Sequence, residues 1–148
     1  MEKKELTANV IEKIDELAQQ GNDLFDKNDF NQAIKVWEQA LELIPEDKNL
    51  YAESQWLYTS IGDAYFYLKD FEKALETFNK AKANIENNAY GNPFIMLRLG
   101  QSYLENNLTN EGKEFLLRAY MIEGKEIFED ENEKYFNFLN ENVDLNKA

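Results

Sequence analysis

One pattern of small and aromatic residues occurs three times in this chain at nearly constant spacing. Gly21 is followed 41 residues later by Gly62 and a further 38 residues later by Gly100. Such a period is typical of chains that stack copies of one supersecondary unit, each burying its apolar face against the next. The three copies are Gly21, Ala33, Trp37, Ala40 and Pro45; Gly62, Tyr65, Ala74, Phe78 and Ala81; and Gly100, Tyr103, Gly112, Leu116 and Ala119.

The composition favours helices rather than strands as the repeated unit. Of 148 residues, 43% are apolar, but only 6 are glycine and 2 are proline. So few turn residues indicate long uninterrupted elements, and the Ala, Leu, Glu, Lys and Gln around the aromatic residues favour helix. Leu6, Val10, Ile14, Leu17 and Leu24 also recur at helical spacing near the N-terminus. We therefore predict an all-α fold.

The apolar periodicity and the polar turns between periodic segments predict seven helices. Small residues such as Gly21 and Ala33 are expected to let paired helices approach closely, while aromatic side chains fill the gaps between repeats. Pro93 is suited to a helix start, and the apolar face of the last helix should pack on the third repeat as a cap. The predicted helices span 8–27, 30–44, 48–69, 71–86, 93–106, 109–129 and 131–143.

These residues resemble the tetratricopeptide repeat (TPR), a helix–turn–helix unit of 34 residues. The second copy follows the family pattern almost throughout. The resemblance implies one domain, a right-handed α-solenoid of three helix hairpins followed by a C-terminal capping helix. The domain is assigned to residues 1–148, the repeats to about 14–47, 55–88 and 93–126, and the capping helix to about 131–143.

The copies depart from the family pattern in two ways. The third has Gly112, Leu116 and Gly124 where Ala, an aromatic residue and Pro are usual, so its second helix is the weakest match. Insertions also lengthen the period beyond 34 residues. The insertion at 45–51 is expected to lengthen the first helix of the second repeat, and the one at 87–93 to form a loop.

The residue inventory argues against most catalytic and cofactor chemistry. The chain has no cysteine and no histidine, which removes thiolate nucleophiles, imidazole bases and the usual zinc and haem ligands. Acidic clusters such as Asp23, Asp26 and Asp29, or residues 129–131, are expected to be solvated surface. We predict no enzyme activity, cofactor or metal. Without a signal peptide or an 18-residue apolar run, the chain is expected to be cytoplasmic.

Charge restricts the class of partner. The chain carries 29 acidic and 16 basic residues, for a formal net charge of −13. Such a field repels phosphate backbones and anionic lipids, so neither a nucleic acid nor a membrane is an expected partner. Two interpretations of the acidity stay open, because it can serve solubility alone or attract a basic protein.

In the TPR family, the first helix of each repeat lines a concave groove, and five of its positions face a ligand. On this chain those positions combine aromatic rings with carboxylates, which implies a groove selective for basic and apolar groups of a protein partner. The alternative is that some rings pack against a terminal helix. The predicted partner-binding residues are Asp15, Asn22, Phe25 and Asp26; Trp56, Thr59, Asp63, Phe66 and Tyr67; and Phe94, Leu97, Arg98, Gln101 and Glu105.

One ligand of the family is disfavoured by the residues at its site. TPR co-chaperones of Hsp70 and Hsp90 hold a C-terminal carboxylate with a clamp of two lysines, two asparagines and an arginine. Here both lysines are replaced by apolar residues and one asparagine by serine. The matching positions are Ala18, Asn22, Ser60, Phe94 and Arg98. A carboxylate clamp is therefore not predicted.

A second resemblance lies near the C-terminus, in residues 117–128 and 135–139. This part is similar to the end of small bacterial TPR proteins encoded beside polymorphic, contact-dependent or Rhs-type toxins, which are regarded as immunity proteins. The resemblance implies a cytoplasmic inhibitor that binds a basic toxin domain. The alternative is a general adaptor or secretion-type chaperone that holds a peptide in the groove. A monomer is favoured for either function.

Overall fold

The structure is a computed structural model that describes residues 3–84 and 88–147. Within these ranges every regular element is helical, which confirms the predicted all-α class. The elements form two compact units that divide between Asn88 and Ala89. The helices are α1 (Ala8–Asp26), α2 (Phe30–Glu42), α3 (Ala52–Tyr67), α4 (Phe71–Lys82), α5 (Pro93–Glu105), α6 (Thr109–Glu123) and α7 (Glu133–Asn142).

The helices pair as hairpins, α1 with α2 and α3 with α4 in the first unit and α5 with α6 in the second. Each hairpin turns at a residue with a left-handed backbone: Asn28, Lys69 and Asn107 have φ of 62°, 62° and 64°. In the first unit, Asp29 and Asp70 follow this residue and accept a hydrogen bond from a backbone N–H of the next helix. The polar turns predicted between the hairpin helices are confirmed.

Lys69 is the turn residue least suited to its backbone, because a left-handed φ costs a residue with a Cβ about 1–2 kcal/mol and asparagine tolerates it better. We expect Lys69→Gly to raise the free energy of unfolding by about 0.5–1 kcal/mol, measured by urea denaturation. Lys69→Ala removes the same charge but keeps the Cβ, so it should give no comparable gain. An equal gain in both variants would show that backbone strain is not the cause.

The predicted close approach of paired helices is confirmed at the repeat glycines. A methyl group built on Gly21 would lie 2.2 Å from Nε1 of Trp37, and one on Gly62 would lie 3.0 Å from the ring of Phe78. Both rings are buried. Each aromatic side chain thus fills the space that the missing Cβ leaves inside its own repeat.

The apolar stripe at the N-terminus is also confirmed. Ile14 is buried in the core of the first unit, and Leu6, Val10, Leu17 and Leu24 are partly buried against that core. The stripe therefore fixes which face of α1 turns inward and which face is left for other contacts. Among the described residues, no helix has the length and apolar character needed to span a membrane.

The insertion at 45–51 does not lengthen α3, so that prediction is wrong. Lys48–Leu50 form one 3₁₀ turn, and Tyr51 is extended with φ −115° and ψ 130°. Tyr51 is buried in the core of the first unit. The Lys48 ammonium donates to the carbonyl of Leu41, 2.9 Å away, near the end of α2. The segment therefore closes α2 and adds to the core before α3 begins.

The start of α5 agrees with the prediction. Pro93 is its first residue, and the Asn92 side chain caps it by accepting a hydrogen bond from the backbone N–H of Ile95 at 3.1 Å. The described part of the preceding insertion is one 3₁₀ turn, Ala89–Gly91. The predicted helix end at 86 and the insertion start at 87 lie outside the described residues.

The helix predicted over 109–129 is too long. α6 ends before Gly124, whose φ of 75° and ψ of −162° suit glycine alone. A 3₁₀ segment, Gly124–Phe128, follows and leads to α7. α7 packs on α6 and buries Tyr135 and Leu139, which confirms the predicted cap on the third hairpin.

Candidate functional site

A pocket of about 390 Å³ lies between α1 and α3 in the first unit. Four residues of its α1 wall have the spacing i, i+3, i+4 and i+7, and the fifth lies four positions before one of them, so all five share one helix face. Its α3 wall is built from two residues three positions apart, which also share a face. The lining residues are Ile14, Asp15, Ala18, Gln19 and Asn22 from α1, and Glu53 and Trp56 from α3.

The pocket combines an apolar floor with an exposed ring and two acids. Ile14 and Ala18 are buried, whereas 45% of Trp56 is exposed. Asp15 and Glu53 stand on opposite helices, and within the described residues neither forms an ion pair. The lining contains no lysine or arginine. This arrangement can bury an apolar group against the indole while presenting negative charge at its edge.

Sequence reasoning predicted part of this pocket. Asp15, Asn22 and Trp56 were expected in the groove, and the structure brings all three together. Gln19 and Glu53 were missed. The available signal was helical spacing, because each of them lies on the same helix face as a predicted residue. Glu53 was overlooked because it precedes the assigned start of the second repeat.

The predicted aromatic residues Phe25, Phe66 and Tyr67 do not line the pocket but form a ring cluster of their own. Phe25 lies edge-on to Phe30 with ring centroids 5.1 Å apart and to Tyr67 at 5.5 Å. Phe66 lies 5.4 Å from Phe71. Tyr67 of α3 therefore packs on Phe25 of the N-terminal helix α1, as the alternative of packing against a terminal helix expects, whereas Phe66 packs on α4 of its own hairpin. Tyr67 stays mostly exposed.

Three further predicted residues of the first unit are also absent from the pocket lining. The Thr59 hydroxyl donates to the carbonyl of Gln55, one turn earlier on the same helix, at 2.7 Å. Asp63 is half-buried, and Asp26 is exposed near the end of α1.

The expected exposure of Leu97, Arg98 and Gln101 is wrong, because all three are buried in the second unit. Arg98 donates to a carboxylate oxygen of Glu131, and it also donates to Gln101 at 2.8 Å. Gln101 Nε2 donates to the same Glu131 oxygen at 2.7 Å. Glu131, expected to be solvated like Glu129, is therefore the counter-charge of a buried arginine, and its side chain is only 15% exposed.

The other predicted residues of the third repeat have intramolecular partners too. Glu105 accepts from the Lys134 ammonium at 2.6 Å. Burial raises the pKa of the Tyr135 hydroxyl, and the neighbouring Glu105 carboxylate raises it further. The Arg98 guanidinium lies 4.8 Å from the centroid of the Phe94 ring. The segment after α6 thus supplies the partners of α5, and no partner-binding role is assigned to this face.

Acidic groups in the described ranges do not converge into a metal site, since no three or more are placed to share an ion. Asp23, Asp26 and Asp29 are exposed, as predicted. Asp29 acts as the N-cap of α2 and accepts from the backbone N–H of Gln32 at 3.4 Å. Asp29 therefore has an ordinary structural role as a helix cap.

Comparison with known proteins supports the repeat assignment in the first unit. Family models described as tetratricopeptide repeat match residues 14–47 and 57–88. The Hsp70-Hsp90 organizing protein of Triticum aestivum is 35% identical over 69 residues, which make up 45% of this chain. The chain spans only 12% of the length of that relative.

Solved TPR domains share the fold at low identity. The C-terminal TPR-containing domain of a putative FK506-binding protein from Plasmodium falciparum has a TM-score of 0.71 and 19% identity, covering 93% of this chain and 91% of that one. The first TPR of Spaghetti (RPAP3), bound to the HSP90 peptide SRMEEVD, has a TM-score of 0.67 and 22% identity, covering 88% of this chain and 90% of that one. The N-terminal domain of stress-induced protein-1 (STI-1) from C. elegans has a TM-score of 0.66 and 16% identity, covering 91% of this chain and 98% of that one. Residues 14–47 and 57–88 of this chain therefore match the tetratricopeptide repeat, and the chain shares the fold of solved TPR domains.

Proposed function

We propose that this chain is a non-enzymatic protein-interaction module, an adaptor that binds a segment of a partner protein in the pocket between α1 and α3. The observation that carries the proposal is the Trp56 ring, 45% exposed on the wall of a pocket of about 390 Å³. Tryptophan is among the residues that supply most binding free energy at protein interfaces. Covering its exposed apolar surface with a ligand is favourable.

The ligand chemistry of similar TPR structures does not transfer to this pocket. One of those structures, the first TPR of Spaghetti (RPAP3), is described as bound to the HSP90 peptide SRMEEVD. Here the clamp positions equivalent to lysine are Ala18 and Phe94, and the clamp arginine, Arg98, is bonded to Glu131. An acidic peptide would also meet the carboxylates of Asp15 and Glu53 in the pocket lining. We therefore propose that this chain binds a peptide, as that TPR domain does, but not an acidic peptide.

Selection of a random phage-displayed peptide library on the immobilised chain tests the proposal. We expect selected peptides to bind with dissociation constants near 1 μM, about −8 kcal/mol. Trp56→Ala should weaken them by at least about tenfold, the loss typical of an aromatic anchor. Met121→Ala is the control, since Met121 is 64% exposed but lies outside the pocket. Peptides that bind Trp56→Ala as tightly as the unaltered chain would exclude this pocket as the site.

A second candidate function is that of an immunity protein, which would act in the cytoplasm by binding a basic toxin domain. The net charge of −13 favours it, because such a field accelerates encounter with a cationic protein. Co-expression with the product of the neighbouring gene provides the test. A stoichiometric, salt-resistant complex with a basic protein that is toxic alone would support this function, whereas separate elution of the two proteins would exclude it.

A further inference from the structure

We infer that the pocket between α1 and α3 recognises a lysine or arginine side chain of the partner segment, an inference that rests on the proposed function. The pocket is lined by the carboxylate of Asp15 on the α1 wall and by that of Glu53 on the α3 wall, which also holds the Trp56 ring. A cationic side chain entering there gains attraction from both carboxylates. An anionic side chain is repelled by both.

The indole is available for a cation. Other aromatic rings of the chain already contact a cation. The Arg118 guanidinium lies 5.0 Å from the Tyr90 ring centroid, and the Lys125 ammonium lies 5.0 Å from the Phe136 ring centroid. Among the described residues, Trp56 has no such partner. Tryptophan is the strongest of the aromatic side chains in attracting a cation to its face. A bound lysine or arginine can supply the cation that this ring lacks.

The pocket floor suits the rest of such a side chain. Ile14 and Ala18 are apolar and buried beneath the pocket. Lysine and arginine pack their methylene stems on apolar surface while the charged group stays near water. The stem can therefore lie along the floor while the charged end reaches the carboxylates. Glu53 also borders a second pocket, lined in part by Lys3 and Lys4, so Asp15 is expected to contribute more of the selectivity.

Charge-neutralising variants test this inference with the selected peptides. We expect those peptides to carry lysine or arginine, and the double variant Asp15→Asn/Glu53→Gln to weaken them by about tenfold. The control is Glu12→Gln/Glu16→Gln, which changes the net charge equally on α1 outside the pocket. It should change binding by less than about twofold. Circular dichroism confirms that both double variants fold.

Replacing the lysine or arginine of the selected peptide with glutamine completes a double-mutant cycle between the peptide and the pocket. The neutral peptide should bind the unaltered chain and the pocket variant equally, because the charge interaction is then already lost. Equal weakening by the pocket and control variants overturns the inference, since net charge alone would explain it. Trp56-dependent peptides without a basic residue also overturn it but leave the proposed function standing. A library that yields no Trp56-dependent peptide overturns both.

Discussion

Replacing Glu131 with alanine is expected to destabilise the second unit by about 3–5 kcal/mol, because it removes the carboxylate that forms an ion pair with the buried Arg98. Arg98 is only 3% exposed, and its guanidinium forms an ion pair with the Glu131 carboxylate. Gln101 loses its acceptor in the same variant, since its amide donates to that carboxylate. The loss of a carboxylate acceptor by buried donors costs much more than the loss of a surface ion pair.

Amide hydrogen exchange of α5 and α7, together with urea denaturation, measures this loss. Asp130→Ala is the matched control, since its exposed neighbouring carboxylate should change stability by less than about 0.5 kcal/mol. The double variant Arg98→Met/Glu131→Gln removes both charges and keeps an acceptor for Gln101, so it should recover part of the stability. If Glu131→Ala and Asp130→Ala behave alike, the buried ion pair does not stabilise this unit.

Replacing Trp37 with alanine is expected to lower the free energy of unfolding of the first unit by about 3–5 kcal/mol. The ring is 2% exposed and packs on Gly21 so closely that no Cβ fits there. Its indole N–H also donates to the carbonyl of Ala18 at 3.3 Å. Truncation would open a cavity between α1 and α2 that the surrounding helices cannot fully close.

The two tryptophans of the chain provide a direct comparison. Trp56→Ala removes the same side chain from an exposed position and should change stability by no more than about 0.5 kcal/mol. Urea denaturation followed by circular dichroism measures both variants. Equal losses would contradict the assignment of Trp37 to the core and Trp56 to the binding surface.

The helix hairpins could be predicted because their signals are local. Asn28 and Asp29 fix the first turn within two residues, and Asn92 and Pro93 fix the start of α5 in the same way. The prediction that the insertion before α3 is helical failed, because its apolar residues have near-helical spacing but tertiary contacts decide their conformation. Tyr51 is extended because it is buried in the core of the first unit, a fact that spacing does not contain.

The candidate site was predictable only where nothing else covers the helix face. Family positions correctly place Asp15 and Trp56 at one pocket, because the faces of α1 and α3 follow from helical periodicity. The same positions fail at Arg98 and Gln101, which bond to Glu131 about thirty residues later in the chain. Pairing of that kind depends on the path of the segment after Gly124, and residue spacing does not encode it.

The most direct test of the central claim is a titration of the two indole N–H signals by ¹⁵N NMR. With selected cationic peptides, the Trp56 signal, assigned with Trp56→Phe, should shift saturably with the peptide. The buried Trp37 signal should stay in place, because its N–H is bonded inside the core. Saturable peptide binding that leaves the Trp56 signal unchanged would contradict the claim that the pocket between α1 and α3 is the binding site.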